Sequence, residues 1–113
     1  MRETTVLALD VVGFSKQVAE NPTVTIDVLS ARRKRIHSLV LSMSGRVFNE
    51  AGDSIVSEFA EADKAALCAV AIQEEMARLN AGSPTERRMM FRAGINYGTV
   101  MDADDNVFGD TVN

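Results

Sequence analysis

The chain has 113 residues, about the usual size of one domain, and twelve Lys and Arg against sixteen Asp and Glu leave a net charge of −4. That balance excludes broad phosphate-backbone binding, which needs a basic face, and the lack of Trp with a single Tyr leaves few platforms for stacking bases. At 46% hydrophobic residues the chain is too apolar for a disordered tail, yet no apolar run approaches the roughly twenty residues that span a bilayer. The early segment MRETTVLALDVVGF is interrupted by Asp10, so no secretory signal is expected. Cys68 is the only cysteine and cannot form a disulfide within the chain, which points to a small buried thiol and a reducing, cytoplasmic setting.

In chain order, residues 5–12 (TVLALDVV) are β-branched and aliphatic and predict a buried central strand. Gly13 ends it, Ser15 is the expected N-cap of a short helix over 16–20, and Asn21-Pro22 interrupts that helix. A longer helix is predicted over 23–43, with Leu29, Ile36, Val40 and Met43 on one face. Its basic run Arg32, Arg33, Lys34 and Arg35 is expected to be a solvated face, and His37 a surface residue. After Gly45, two strands over 46–50 and 54–59 are joined through Ala51-Gly52-Asp53. Ala65, Cys68, Ile72, Met76 and Leu79 mark a core-facing helix over 62–80, stopped by Asn80, Gly82 and Pro84. MMFRAGIN, 89–96, predicts a further strand with a bend at Tyr97-Gly98. The order is that of an α+β, ferredoxin-like fold: a split βαβ antiparallel sheet with helices on one face.

That topology bears on two acids 43 positions apart. The C-terminal end of the first strand falls beside the start of the third, which brings Asp10 next to Asp53. Two carboxylates so placed repel, and a divalent cation between them removes the cost. The loop Val11-Val12-Gly13-Phe14-Ser15 enters a helix, so free backbone N–H groups face any anion held there. Taken singly, Asp53 is ordinary turn chemistry, whereas an acid inside an apolar strand needs a partner.

LALDVVGFS, GRVFNEAGDSIVSEF, FRAGINYGTV and DNVFGDTVN resemble the successive signature blocks of class III adenylate/guanylate cyclase catalytic domains, in the family's order and spacing. The resemblance makes residues 1–113 the N-terminal part of a single catalytic domain. It implies conversion of a purine nucleoside triphosphate, ATP ahead of GTP, to a 3′,5′-cyclic monophosphate and pyrophosphate, in intracellular signalling. It further implies two Mg²⁺ or Mn²⁺ ions at Asp10, the Val11 carbonyl and Asp53, and phosphate binding by Gly13, Phe14 and Ser15. Base recognition then falls to Asn49 and Asn106, and a transition-state contact to Asn113. The active site is expected at a homodimer interface, with no nucleic acid or membrane partner.

Asn49 stands where adenylate-specific members of that family commonly carry Lys, and Asn106 where they carry Asp or Thr; the guanylate-specific pattern, Glu and Cys, fits no better. Asn carries a donor and an acceptor and could still pair with a purine edge, while Glu50 or Asp105 could substitute. The family's Arg four residues beyond Asn113 lies past the end of the chain, so these 113 residues alone are expected to make no cyclic nucleotide. A non-catalytic homolog, binding nucleotide or dimerising as a regulatory module, is the alternative. A palm-type nucleotidyl transferase would call for a Gly-Gly-Asp/Glu hairpin where AGDS stands.

Overall fold

The computed structural model describes residues 2–103 and 106–108, with side chains over 3–99. The first strand, β1 (Arg2–Val11), runs through the middle of the sheet. Its even and odd positions point to opposite faces, and Leu7, Leu9 and Val11 form the row that meets the helices. Gly13, at φ +66°, turns the chain into α1 (Phe14–Glu20), and Pro22 opens α2 (Pro22–Ser42), where its missing N–H costs nothing. The helix therefore starts two residues before the expected 16. Gly13 rather than Ser15 is its cap, and it makes no side-chain cap hydrogen bond.

Two strands follow, β2 (Arg46–Ala51) and β3 (Ser54–Phe59), joined by a two-residue turn in which Gly52 takes φ +57°. The ladder slips between Val47 and Asn49, leaving Phe48 as a bulge. The third helix, α3 (Ala62–Ala81), buries Ala65, Cys68, Ile72 and Met76, the stripe read from its spacing. A 3-10 turn over Thr85–Arg87 leads to β4 (Phe91–Ala103) and β5 (Asn106–Phe108). The bend expected at Tyr97-Gly98 is absent. β4 runs straight through both, because β1 pairs with it from Val11↔Phe91 to Arg2↔Val100.

The sheet order is β2-β3-β1-β4-β5, with every neighbouring pair antiparallel. This is the α+β, ferredoxin-like arrangement, extended by β5. Val28, Leu29, Ile36 and Val40 of α2 join the α3 stripe over Leu7, Leu9, Ile55 and Phe59. Each such side chain, fully buried, contributes on the order of 2 kcal/mol. β5 also approaches β2, although the two stand at opposite ends of the hydrogen-bonding order. Among the described helices none is long and apolar enough to cross a membrane.

Arg32 departs from the expectation of a solvated basic face. It is 4% exposed and inserted between α3 and the segment leading into β4, where burial and the charge of Arg87 lower its proton affinity. Charge alone misleads here, because a guanidinium can be buried wherever enough carbonyl acceptors surround it.

Candidate active site

The antiparallel register decides where the two acids meet. Leu9 pairs with Ile55, so the last residues of β1 lie beside the Gly52-Asp53 turn that opens β3. Asp53 Oδ2 accepts the Val11 N–H at 2.9 Å, tying turn to strand end through a part-buried bond. Asp10 and Asp53 line one open cleft of about 580 Å³ together with Val11, Gly13, Phe14, Ser15, Lys16, Ser54 and Arg92. All of the expected metal and phosphate residues thus border the same space. The Val12 N–H is bonded to the Met90 carbonyl at 2.8 Å and the Gly13 carbonyl accepts the Gln17 N–H at 3.0 Å, so the loop is held at both ends.

Arg92 is a member of the cleft that sequence reasoning missed. It stands opposite Asp10 in the β1–β4 ladder and donates from Nε to Asp10 Oδ1 at 2.8 Å. The hydrogen bond to Asp10, then the Asp10 charge and more weakly that of Asp53, raise its proton affinity. A signal existed: Asp10 is the one charged residue in TVLALDVV, and Arg92 the one in FRAGINY. Two lone charges on neighbouring strands are a cross-strand pair waiting for a register.

The donor set fits hard divalent cations. It offers the carboxylates of Asp10 and Asp53, oxygen donors on a face open to solvent, beside the cations Lys16 and Arg92. Among the described residues no group of three or more His, Cys, Asp or Glu could enclose a metal. Any ion would therefore complete its shell with water and ligand oxygens, which is how Mg²⁺ is commonly held beside phosphates.

The base-recognition candidates are only partly placed. Asn49 is exposed on β2 opposite Val56, on the sheet face away from the helices, the face that Asp10 and Arg92 share. Asn106 lies on β5, which approaches β2, and its side chain lies outside the described residues, as do Asp105 and Asn113. Glu50 cannot substitute for Asn49. It points to the helix face, where its Oε1 lies 2.8 Å from His37 Nε2 and 3.3 Å from Arg33 Nε.

The chain is thus an α+β domain in which an antiparallel sheet backed by helices brings two acids and a glycine loop around one cleft. The chain is 39% identical over 113 residues to "Putative adenylate cyclase 3" of Rhizobium meliloti (strain 1021), covering 99% of this chain but 19% of that protein. A solved adenylate/guanylate cyclase/hydrolase from Silicibacter pomeroyi superposes with a TM-score of 0.88 at 31% identity, over 99% of this chain and 66% of that one. A bacterial light-regulated adenylyl cyclase matches at TM-score 0.87 and 18% identity, covering 97% of this chain and 37% of that one, a likeness of fold. No family model matches. The chain belongs to the class III adenylate/guanylate cyclase family. It spans about a fifth of the length of its Rhizobium relative.

Proposed function

We propose that this chain supplies the metal and triphosphate cleft of a nucleotide cyclase acting on a purine nucleoside triphosphate, ATP ahead of GTP. The observation that carries the reading is the convergence of Asp10, Asp53 and the Gly13–Ser15 loop on one solvent-open cleft, with a cation, Arg92, among the acids. Asp10, Asp53 and the Val11 carbonyl would hold Mg²⁺ or Mn²⁺. Bound there, the ions supply activation of the ribose 3′-hydroxyl and charge neutralisation on the pyrophosphate leaving group.

The chain's own residues have separable tasks. Asp53 Oδ2 already takes the Val11 N–H, which orients that carboxylate and leaves Oδ1 to turn toward a cation. Gly13, in its left-handed conformation, lets the backbone of Phe14 and Ser15 approach phosphate oxygens closely. Arg92 neutralises Asp10 through their ion pair, and its guanidinium, 70% exposed, would be free to turn to a phosphate oxygen were Asp10 to serve as a metal ligand. Asn49, exposed on the same sheet face, offers a donor and an acceptor to a purine edge. In a homodimer, that edge and the acids would come from different protomers.

The test is product identity: the intact protein given ATP or GTP with Mg²⁺ or Mn²⁺, beside its Asp10→Ala and Asp53→Ala variants. Cyclic AMP formed by the parent and lost in both variants supports the proposal. Tight nucleotide binding without turnover supports the regulatory-module alternative.

A further inference from the structure

Two consecutive arginines of α2 reach in different directions, and each ends next to one wall of the cleft. Arg32 donates to Asn80 Oδ1 at 2.8 Å and to the Met89 carbonyl at 3.2 Å. Asn80 engages both backbone groups of Met89, accepting its N–H and donating to its carbonyl at 2.9 Å each. The very next carbonyl, that of Met90, takes the Val12 N–H, and Arg92 lies two residues further on against Asp10. Arg33 goes the other way: it donates to the Gly52 carbonyl and lies 3.3 Å from Glu50. Gly52 precedes Asp53, which holds the Val11 N–H. Successive helix residues diverge by about 100°, so neighbours can brace two separate strands from one rigid element.

We propose that Arg32 and Arg33 form a two-armed brace, anchored in α2, that sets the spacing of the two walls of the cleft. They are positioning residues. Arg32, through Asn80 and Met89, fixes the β4 side, and Arg33 fixes the β2–β3 turn. The basic run of α2 thereby holds the turn that carries Asp53 and the start of β4, whose Arg92 pairs with Asp10, while Lys34 and Arg35 remain on the surface. Only the metal arm of the test below rests on the cyclase reading.

Amide hydrogen exchange by NMR separates a brace from general stabilisation, because each arm has its own reporter. In Arg33→Gln the Val11 amide should exchange at least about tenfold faster, the effect of losing a charge-assisted hydrogen bond, while the Leu7 amide in mid-strand keeps its protection. In Arg32→Lys and in Asn80→Asp, which cannot donate to the Met89 carbonyl, the Val12 amide should loosen by a similar factor and Leu7 again should not. Arg33 is a third exposed at its side chain, so its variant stays folded even if the buried Arg32 site tolerates no change. Unchanged protection at Val11 and Val12, or equal acceleration at Leu7, overturns the brace. Mn²⁺ titrated by its paramagnetic resonance signal, with a non-hydrolysable ATP analogue present, should bind several-fold more weakly to each variant. If Val11 and Val12 loosen as stated but Asp10→Asn leaves the parent's Mn²⁺ affinity unchanged, the brace stands and the metal reading falls.

Discussion

Ser44 and Gly45 end α2 in an order that the residue types alone misassign. Ser44 adopts φ +64° while Gly45 stays out of the left-handed region, although Gly is the residue suited to that conformation. The Gly45 N–H returns to the Val40 carbonyl at 2.9 Å and the Ser44 N–H to Leu41 at 3.1 Å, the paired bonds of a Schellman end. Gly45 is needed for room instead: a Cβ there would lie 2.4 Å from the Phe59 ring. Ser44→Gly should therefore stabilise the chain by about 0.5–1 kcal/mol by relieving the left-handed cost, raising Tm by a few degrees in a thermal melt. Gly45→Ala should destabilise by about 1–3 kcal/mol through overpacking against Phe59. At the same scale, burial pushes the Cys68 thiol up to about 11. It should resist iodoacetamide at pH 8 in the native state and react once denaturant is added, which mass spectrometry reads directly.

Among the elements, α3 is tied to α2 by charge as well as by core packing. Glu75 accepts from Arg78 Nε at 2.6 Å and from Arg35 Nε at 2.8 Å. The Arg78 and Arg35 bonds hold its carboxyl at about 2, below its ordinary 4.5. A depressed carboxylate stabilises the fold fully above the unfolded value and loses that contribution as pH falls from about 4.5 toward 2. Glu75→Gln should therefore lower stability at pH 7 and flatten its dependence on pH across that window, measured by urea unfolding at a series of pH values. Much of α3 was legible in advance, since a 3.6-residue apolar stripe against a sheet has few other readings. The role of α2's arginines was not. Burial of Arg32 depends on Asn80 and Met89, which are 48 and 57 positions away.

For the whole molecule, the two acids of the cleft should behave differently when removed. Asp10 and Arg92 are both well exposed, so Asp10→Ala should leave the melting temperature nearly unchanged. Asp53 holds the part-buried Val11 N–H, and Asp53→Ala should cost about 1–3 kcal/mol by leaving that donor unpaired. Both should abolish Mn²⁺ binding in the presence of triphosphate. Calorimetry beside metal titration separates the two effects, and equal destabilisation by both substitutions would contradict the assignment of the Val11 bond.

The sequence by itself determined the class of fold, the strands and helices in order as far as β4, and the meeting of Asp10 with Asp53. Each of these follows from hydrophobic period, turn chemistry and the restricted ways in which a split βαβ unit can pair. The sequence put a polar loop over 102–106, where β4 runs on to Ala103 and β5 begins at Asn106. The tertiary structure decided what depends on register and on partners distant in the chain. It set Arg92 against Asp10, took Arg32 out of solvent, turned Glu50 to the helix face away from Asn49, and ran β4 straight through Tyr97-Gly98. A side chain's face along a strand flips with a single-residue shift, and its burial depends on what packs over it, so neither is a property of the local sequence.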